Sequence, residues 1–328
     1  MQENPGPQLP YGAQYSYPPV PPSRSWFLPA PGGARFDHLA RNDAARPWRA
    51  IVGTLALAAL FFVVAAVVIY AGAVVAMFLG VSAPLDVERE LFGDPVFGLA
   101  VTLLSIAAVL PFVFGAAALV QRRRPGTLSS VAGRLRWTWL SGCVGLAVLA
   151  LVVGQVVQVL ALALSGEEYA GMFGWVGWAR FLPALIVIVL LVPFQAAAEE
   201  YIFRGWFLQA VGAHVRNPVW AILIGSALFA SLHGYSWAGL AEVFVFGAVM
   251  GWLAVRTGGL EAAIALHVMN NMLAFGLSAA SGDLRDALIQ SRVEVPWQAQ
   301  VGVVAQLGLY VFGVLYLAKK RSIGTISG

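Results

Sequence analysis

The sequence is short of charge. Only 11% of its 328 residues are Asp, Glu, Lys or Arg, where a soluble domain carries roughly 25%; so few charges cannot cover a water-exposed surface. Lysine is almost missing: the 20 basic residues comprise 18 arginines plus Lys319 and Lys320. Cysteine is reduced to Cys143, inside an apolar run, which excludes a disulfide framework and a Cys-rich metal site. No Walker-type phosphate loop and no His-Glu-x-x-His pair is present. No serine stands in a Gly-x-Ser-Gly context, and no span carries Gly-x-Gly-Asp. Phosphate-loop enzymes, zincins of the usual pattern, and the serine and aspartyl routes to intramembrane cleavage are thereby set aside. A secretory signal is not expected either, because the first apolar run begins near Ile51 behind a long polar leader.

What is abundant is apolar. Hydrophobic residues make up 59% of the chain, against roughly 45–50% in soluble domains, and the mean hydropathy is +0.78. The fold class expected is all-α, a polytopic membrane helix bundle with about eight transmembrane helices, since a helical span needs ~20 apolar residues. The runs lie near 50–80, 96–120, 137–164, 181–203, 218–234, 237–255, 259–280 and 298–318, and the fourth, with Pro193 inside it, continues beyond 203 as an amphipathic helix to about Ala213. Residues 1–48 hold ten of the 18 prolines and are read as a disordered cytoplasmic tail whose Pro-rich run, Tyr17 to Pro22, suits a polyproline II docking segment. N-terminal transmembrane helices occupy 49–164, a polar-motif core 165–280, and a last span with a basic C-terminus 281–328.

With both termini cytoplasmic and an even number of spans, sixteen basic residues fall inside and four outside, as the positive-inside rule requires. The inside set includes Arg122–Arg124, Arg204 and Lys319–Arg321; the outside set is Arg89, Arg180, Arg285 and Arg292. The expected location is the cell membrane, multi-pass. Tryptophans near span ends, among them Trp48, Trp137, Trp139, Trp178, Trp220 and Trp297, read as an interfacial belt. Arginines confined to short loops between apolar stretches give no reason to expect nucleic acid as a partner; the partners expected are the bilayer and a membrane-anchored peptide or protein. The excess of Arg over Lys on an Ala-, Gly- and Val-rich background looks like GC-rich bacterial coding.

Ionisable side chains in a membrane helix are costly and mark function by default. Up to residue 180 none lies deep in a span; beyond it three groups occur within 73 residues. In Glu199-Glu200-Tyr201-Ile202-Phe203-Arg204 the two glutamates point about 100° apart on a helix. Glu200 and Arg204, spaced i,i+4, can pair, which leaves Glu199 without a local partner. A helix-end ion pair with a snorkelling glutamate is the plainer reading of that group. In Phe229-Ala230-Ser231-Leu232-His233 the phenyl ring and imidazole share a face, and a lone histidine there is more often an interior hydrogen-bonding residue. In His267-Val268-Met269-Asn270-Asn271, His267 and Asn271 share a face and Asn270 is rotated off it; helix–helix glue is the alternative. Together the groups supply a base, a second base or donor, and an amide donor, the inventory for activating water and holding an oxyanion. Gly247-x-x-x-Gly251 would let the sixth span pack closely on a neighbour.

In order and spacing these groups resemble the CAAX protease and bacteriocin-processing family (CPBP, also called Abi), which includes the type II CAAX prenyl endopeptidases. The family pattern, Glu-Glu-x-x-x-Arg, Phe-x-x-x-His, then His-x-x-x-Asn or Asp, is met by Glu199-Glu200 with Arg204, Phe229 with His233, and His267 with Asn271. The resemblance implies an intramembrane endopeptidase with Glu199 as the base acting on water and His233 assisting. It implies that His267 and Asn271 bind the oxyanion, and that Glu200 and Arg204 orient the base or serve structurally. No cofactor is required in that reading. A zinc (Zn) site of Glu199, His233 and His267 is the alternative, in keeping with the metalloprotease label often given to family members. A bacterial source would argue against prenylated CAAX substrates and leave membrane-anchored regulators, bacteriocin precursors or surface-protein anchoring pathways. Two other functions share the composition: a non-catalytic scaffold or bacteriocin-immunity protein, and a proton-coupled transporter, although the halves show no repeat.

One spacing is awkward. With the fourth span ending at 203, Glu199 sits near its cytoplasmic end, whereas His233 lies ~22 Å along a helix starting at Pro218. The two meet only if the fifth span starts deeper, the fourth bends at Pro193, or the boundaries move.

Overall fold

The computed structural model describes residues 25–84, 91–167, 174–285 and 296–328. The Pro-rich run from Tyr17 to Pro22 and the loop residues Arg89 and Arg292 lie outside them. Among the described residues the regular structure is helical, in the order α1 (Pro47–Leu79), α2 (Pro95–Ala107), α3 (Leu110–Leu119), α4 (Trp137–Ser165), α5 (Trp178–Glu200), a π-helical stretch (Tyr201–Phe207), α6 (Leu208–Gly212), α7 (Pro218–Ser231), α8 (Trp237–Thr257), α9 (Glu261–Ser281) and α10 (Trp297–Lys320).

The ends of these helices follow from their residues. Pro47 opens α1, where a missing N–H costs nothing, and Gly80 closes it at φ 67°. Pro111 interrupts the second apolar run, so α2 and α3 form one broken span, 25 residues from Pro95 to Leu119. Asn217 caps α7, its side chain accepting from Val219 N at 3.0 Å. Among the described residues seven helical stretches are long and apolar enough to cross a membrane. The eighth, α7, has 14 residues and reaches only ~21 Å, short of a hydrocarbon core of ~30 Å. α7 therefore ends inside the bundle, and the turn at 232–236 sends the chain back along α8, to which α7 is closely packed. Non-helical backbone at that depth is tolerated only where it is covered by protein or lines a wet cavity.

The fourth span does not end near 203. The helix continues beyond 203 as expected, from Trp178 to Gly212, with Pro183 and Pro193 inside it, but all 35 residues form one span. Glu199 thus lies ~20 Å from that helix's end, level with His233; the boundary was at fault. For the same reason Arg204 is no loop residue: it is 3% exposed in the interior, and does not count toward the charge asymmetry.

Residues 25–46, the C-terminal residues 321–328 and the loops at 121–136, 213–217 and 257–260 gather on one face. Arg41 donates to the carbonyls of Gly212 and Val215, each at 2.9 Å, and Asn42 to that of Gln121 at 3.0 Å. Ser327 N donates to Ala34 O at 2.8 Å, and short bridges join Arg35 to Ile326 and Ser130 to Gly259. Residues 25–46, expected as disordered tail, are therefore folded against the bundle, with Phe36 and Leu39 buried. Pro-rich composition misled there because a few apolar residues, anchored by backbone hydrogen bonds, suffice to order the segment. Trp139 also departs from expectation: it is buried beside Cys143 rather than interfacial, whereas Trp48, Trp137, Trp178, Trp220 and Trp297 are exposed.

Candidate active site

The three polar groups meet in mid-bundle, where α5, the π-helical stretch, α7 and α9 come together. On α5, Glu200 is fully buried and accepts from Arg204 Nη1 at 3.1 Å, the pair expected from their i,i+4 spacing. Its Oε1 also faces His267 Nδ1 at 2.7 Å. The other ring nitrogen, Nε2, lies 3.3 Å from Glu199 Oε2. His267 thereby bridges the two glutamates. Glu199, without a partner on its own helix, finds one on α9, 68 positions along the chain, and its side chain keeps 14% exposure.

α9 can deliver His267 because its first turn starts beneath the surface. Leu260 N donates to Ser129 O at 2.9 Å, and Glu261 is fully buried against Arg136. One helical turn beyond His267, Asn271 Nδ2 donates to Gln195 Oε1 at 3.1 Å. Gln195 was missed in the sequence; its signal was the i−4 position to Glu199, a buried polar residue on the same helical face.

Phe229 forms the hinge of the site. Its ring lies 4.8 Å from the His233 imidazole and 6.0 Å from that of His267, and the Arg204 guanidinium sits 4.3 Å over it, a favourable cation–π arrangement. His233 Nδ1 is 2.9 Å from the Phe229 carbonyl. That oxygen can only accept, so Nδ1 carries the hydrogen and a neutral ring keeps its Nε2 lone pair free. Arg204 is further fixed by Gly247 on α8, where a Cβ would stand 2.7 Å from Nη2. Gly251 leaves similar room for Ile222. The Gly247-x-x-x-Gly251 pair thus closes α8 onto α7 and frames the site, the close packing expected of it.

Two cavities flank Phe229 and His233. One, about 370 Å³, is mainly apolar and runs between α1, α2 and α7, with Leu57, Phe61, Trp206 and Leu228 in its wall and Glu199 and His233 at its inner end. The other, about 280 Å³, is the more polar of the two and holds His267, Asn270 and Asn271 together with Tyr235 and Glu242 beside Phe246 and Val303. Asn270 was expected off the functional face, yet it faces this cavity, accepting from Gln306 at 3.3 Å. All six residues of the motif-based assignment, Glu199, Glu200, Arg204, His233, His267 and Asn271, thus lie in or directly behind one polar centre between the two cavities. Zinc is poorly suited by this geometry. Among the described residues no three His, Cys, Asp or Glu side chains converge as metal ligands, and both nitrogens of His267 face carboxylates instead of a common point.

Comparison with known proteins points to the same region. Residues 178–273 match the family model described as type II CAAX prenyl endopeptidase Rce1-like. The uncharacterized protein YyaK of Bacillus subtilis (strain 168) is 26% identical over 250 residues, which cover 72% of this chain and 81% of the relative. An uncharacterized 24.3 kDa protein of Escherichia coli is 31% identical over 154 residues, 46% of this chain and 69% of the relative. No solved structure matches the chain.

Proposed function

Because the chain belongs to the type II CAAX prenyl endopeptidase Rce1-like family, a family of intramembrane endopeptidases, we propose that it hydrolyses a peptide bond in a membrane-associated peptide or protein through water activated by Glu199. The observation that carries this reading is the His267 bridge in mid-bundle: an accessible carboxylate, Glu199, is tied through one imidazole to the buried Glu200–Arg204 pair.

In this mechanism a water beside Glu199 gives up a proton to its carboxylate as the water oxygen attacks the scissile carbonyl. His233 Nε2 accepts a hydrogen bond from the same water and aligns it. The carbonyl oxygen becomes an oxyanion, which takes the second Nδ2 hydrogen of Asn271, the first being held by Gln195. Once protonated, Glu199 loosens its hold on His267 Nε2, and that N–H turns to the oxyanion. The C–N bond then breaks, and the leaving amine takes the proton from Glu199. Glu200 and Arg204 keep the far side of His267 fixed throughout. The apolar cavity receives the lipid-embedded part of the substrate. The face that carries residues 25–46 and 321–328 is cytoplasmic in this proposal, with the protein in the cell membrane.

The test is cleavage of a fluorogenic membrane-peptide library by purified protein in detergent, comparing wild type, Glu199→Gln and His233→Ala, with and without a zinc chelator. Cleavage by wild type alone, indifferent to chelator, is the expected result. Cleavage that survives Glu199→Gln removes the base assignment. Loss on chelation with rescue by zinc replaces the metal-free route.

A further inference from the structure

Glu242 stands in a place the reaction does not explain. It lies on α8, inside a membrane-spanning helix, and faces the polar cavity. Among the described residues no hydrogen bond or ion pair engages its carboxylate. Glu242 is partly buried, and in a membrane helix a carboxylate without a cationic partner marks function by default. The two fully buried glutamates among the described residues each have a cationic neighbour: Glu200 has Arg204, and Glu261 has Arg136.

No Lys or Arg lines the cavity; its two histidines stand at the end beside the glutamates, His267 held between Glu199 and Glu200 and His233 against the Phe229 carbonyl. Gln306 spends its Nε2 on Asn270, so Oε1 remains as an acceptor, and Tyr235 stacks obliquely on His233 at 5.6 Å with its hydroxyl as a further acceptor. At about 280 Å³ the space falls just below the roughly 300–1,000 Å³ of sites that enclose whole small molecules, and it suits a single long side chain. It opens beside Asn271 and His267, on the opposite side of Phe229 from the apolar cavity.

We propose that this cavity is a specificity subsite for a cationic side chain, Lys or Arg, of the substrate, with Glu242 as its counter-ion. The substrate then lies across the centre with its lipid-embedded segment in the apolar cavity and a basic residue beyond the scissile bond. This inference rests on the endopeptidase reading for its meaning, but its binding chemistry can be tested without catalysis.

The probes are fluorescein-labelled membrane peptides carrying one Arg at successive positions, each paired with a Gln counterpart. Binding to the Glu199→Gln protein in detergent is read by anisotropy. At one register the Arg peptide is expected to bind at least about tenfold more tightly, because the Gln peptide leaves the carboxylate unpaired. In the Glu199→Gln, Glu242→Gln double variant the preference disappears, and with Glu242→Lys it passes to a Glu peptide. Equal binding of Arg and Gln peptides at every register, or a preference that survives Glu242→Gln, overturns the inference. Thermal unfolding of each variant checks that the bundle is intact. Wild-type cleavage without any preference for Arg would sink this subsite and leave the endopeptidase standing; a preference in binding with no cleavage by wild type would do the reverse.

Discussion

Two buried carboxylate–arginine pairs can be compared directly. Near the face that carries residues 25–46 and 321–328, Glu261 accepts from Arg136 three times, from the backbone N at 2.9 Å, Nε at 2.8 Å and Nη2 at 2.7 Å. Arg136 donates further to the carbonyls of Gly324 and Thr257. In mid-bundle, Glu200 has one oxygen engaged by both Arg204 and His267, while its Oε2 and Arg204 Nη2 have no partner among the described residues. The first pair is satisfied as fully as its chemistry allows and staples α4 to α9 and the C-terminal segment. The second leaves Glu200 Oε2 and Arg204 Nη2 without a protein partner and lies directly behind His267 and the accessible Glu199. In the proposed reaction that pair fixes the imidazole, whereas the first pair only holds helices together.

The comparison makes separable predictions. Glu199→Gln should lower cleavage of a membrane peptide by about 10²–10⁴-fold, the range for loss of a general base, with an unfolding temperature close to wild type. A large fall in that temperature would turn the working half of the comparison into another staple. Glu261→Ala should do the opposite. Stranding the buried Arg136 guanidinium costs about 3–5 kcal/mol, seen as a lower midpoint in denaturant-induced unfolding, while the rate per folded molecule at low temperature stays near wild type. Asn271→Ala should cost about 10²-fold in kcat, as for removal of one oxyanion donor, with KM little changed. Gly247→Ala should be mildest, about tenfold in rate, because the added methyl pushes on Arg204 and misplaces the carboxylate behind His267. If Gly247→Ala alters stability and leaves the rate untouched, the Glu200–Arg204 pair belongs with Glu261 and Arg136.

Much of the site was legible because helical periodicity is local. The pairing of Glu200 with Arg204, the stacking of Phe229 on His233, and the common face of His267 and Asn271 all follow from residues four apart on a helix. Contacts between helices carried no such signal. Gln195 holds Asn271 from 76 positions away, and Arg136 holds Glu261 from 125. Glu242 was passed over because it is a single carboxylate with no polar residue one turn away to draw attention to it. Arg204 was miscounted as a loop residue for a related reason: a charge at the end of an apolar run looks like a span boundary until the partner that permits its burial is known.

Composition and apolar run lengths by themselves determined that this is a polytopic helical membrane protein, and the motif spacing determined which side chains share a helix face. Both are consequences of the solvent and of helix geometry, which act along the chain. Tertiary structure alone decided that the helix continuing to Gly212 belongs to the span itself, that α7 stops part-way, and that α9 starts beneath the surface. Those three offsets bring Glu199, His233 and His267 to one depth. They depend on how whole helices slide past one another to bury Arg204 against Gly247 and Glu261 against Arg136, and that packing is a property of the assembled bundle.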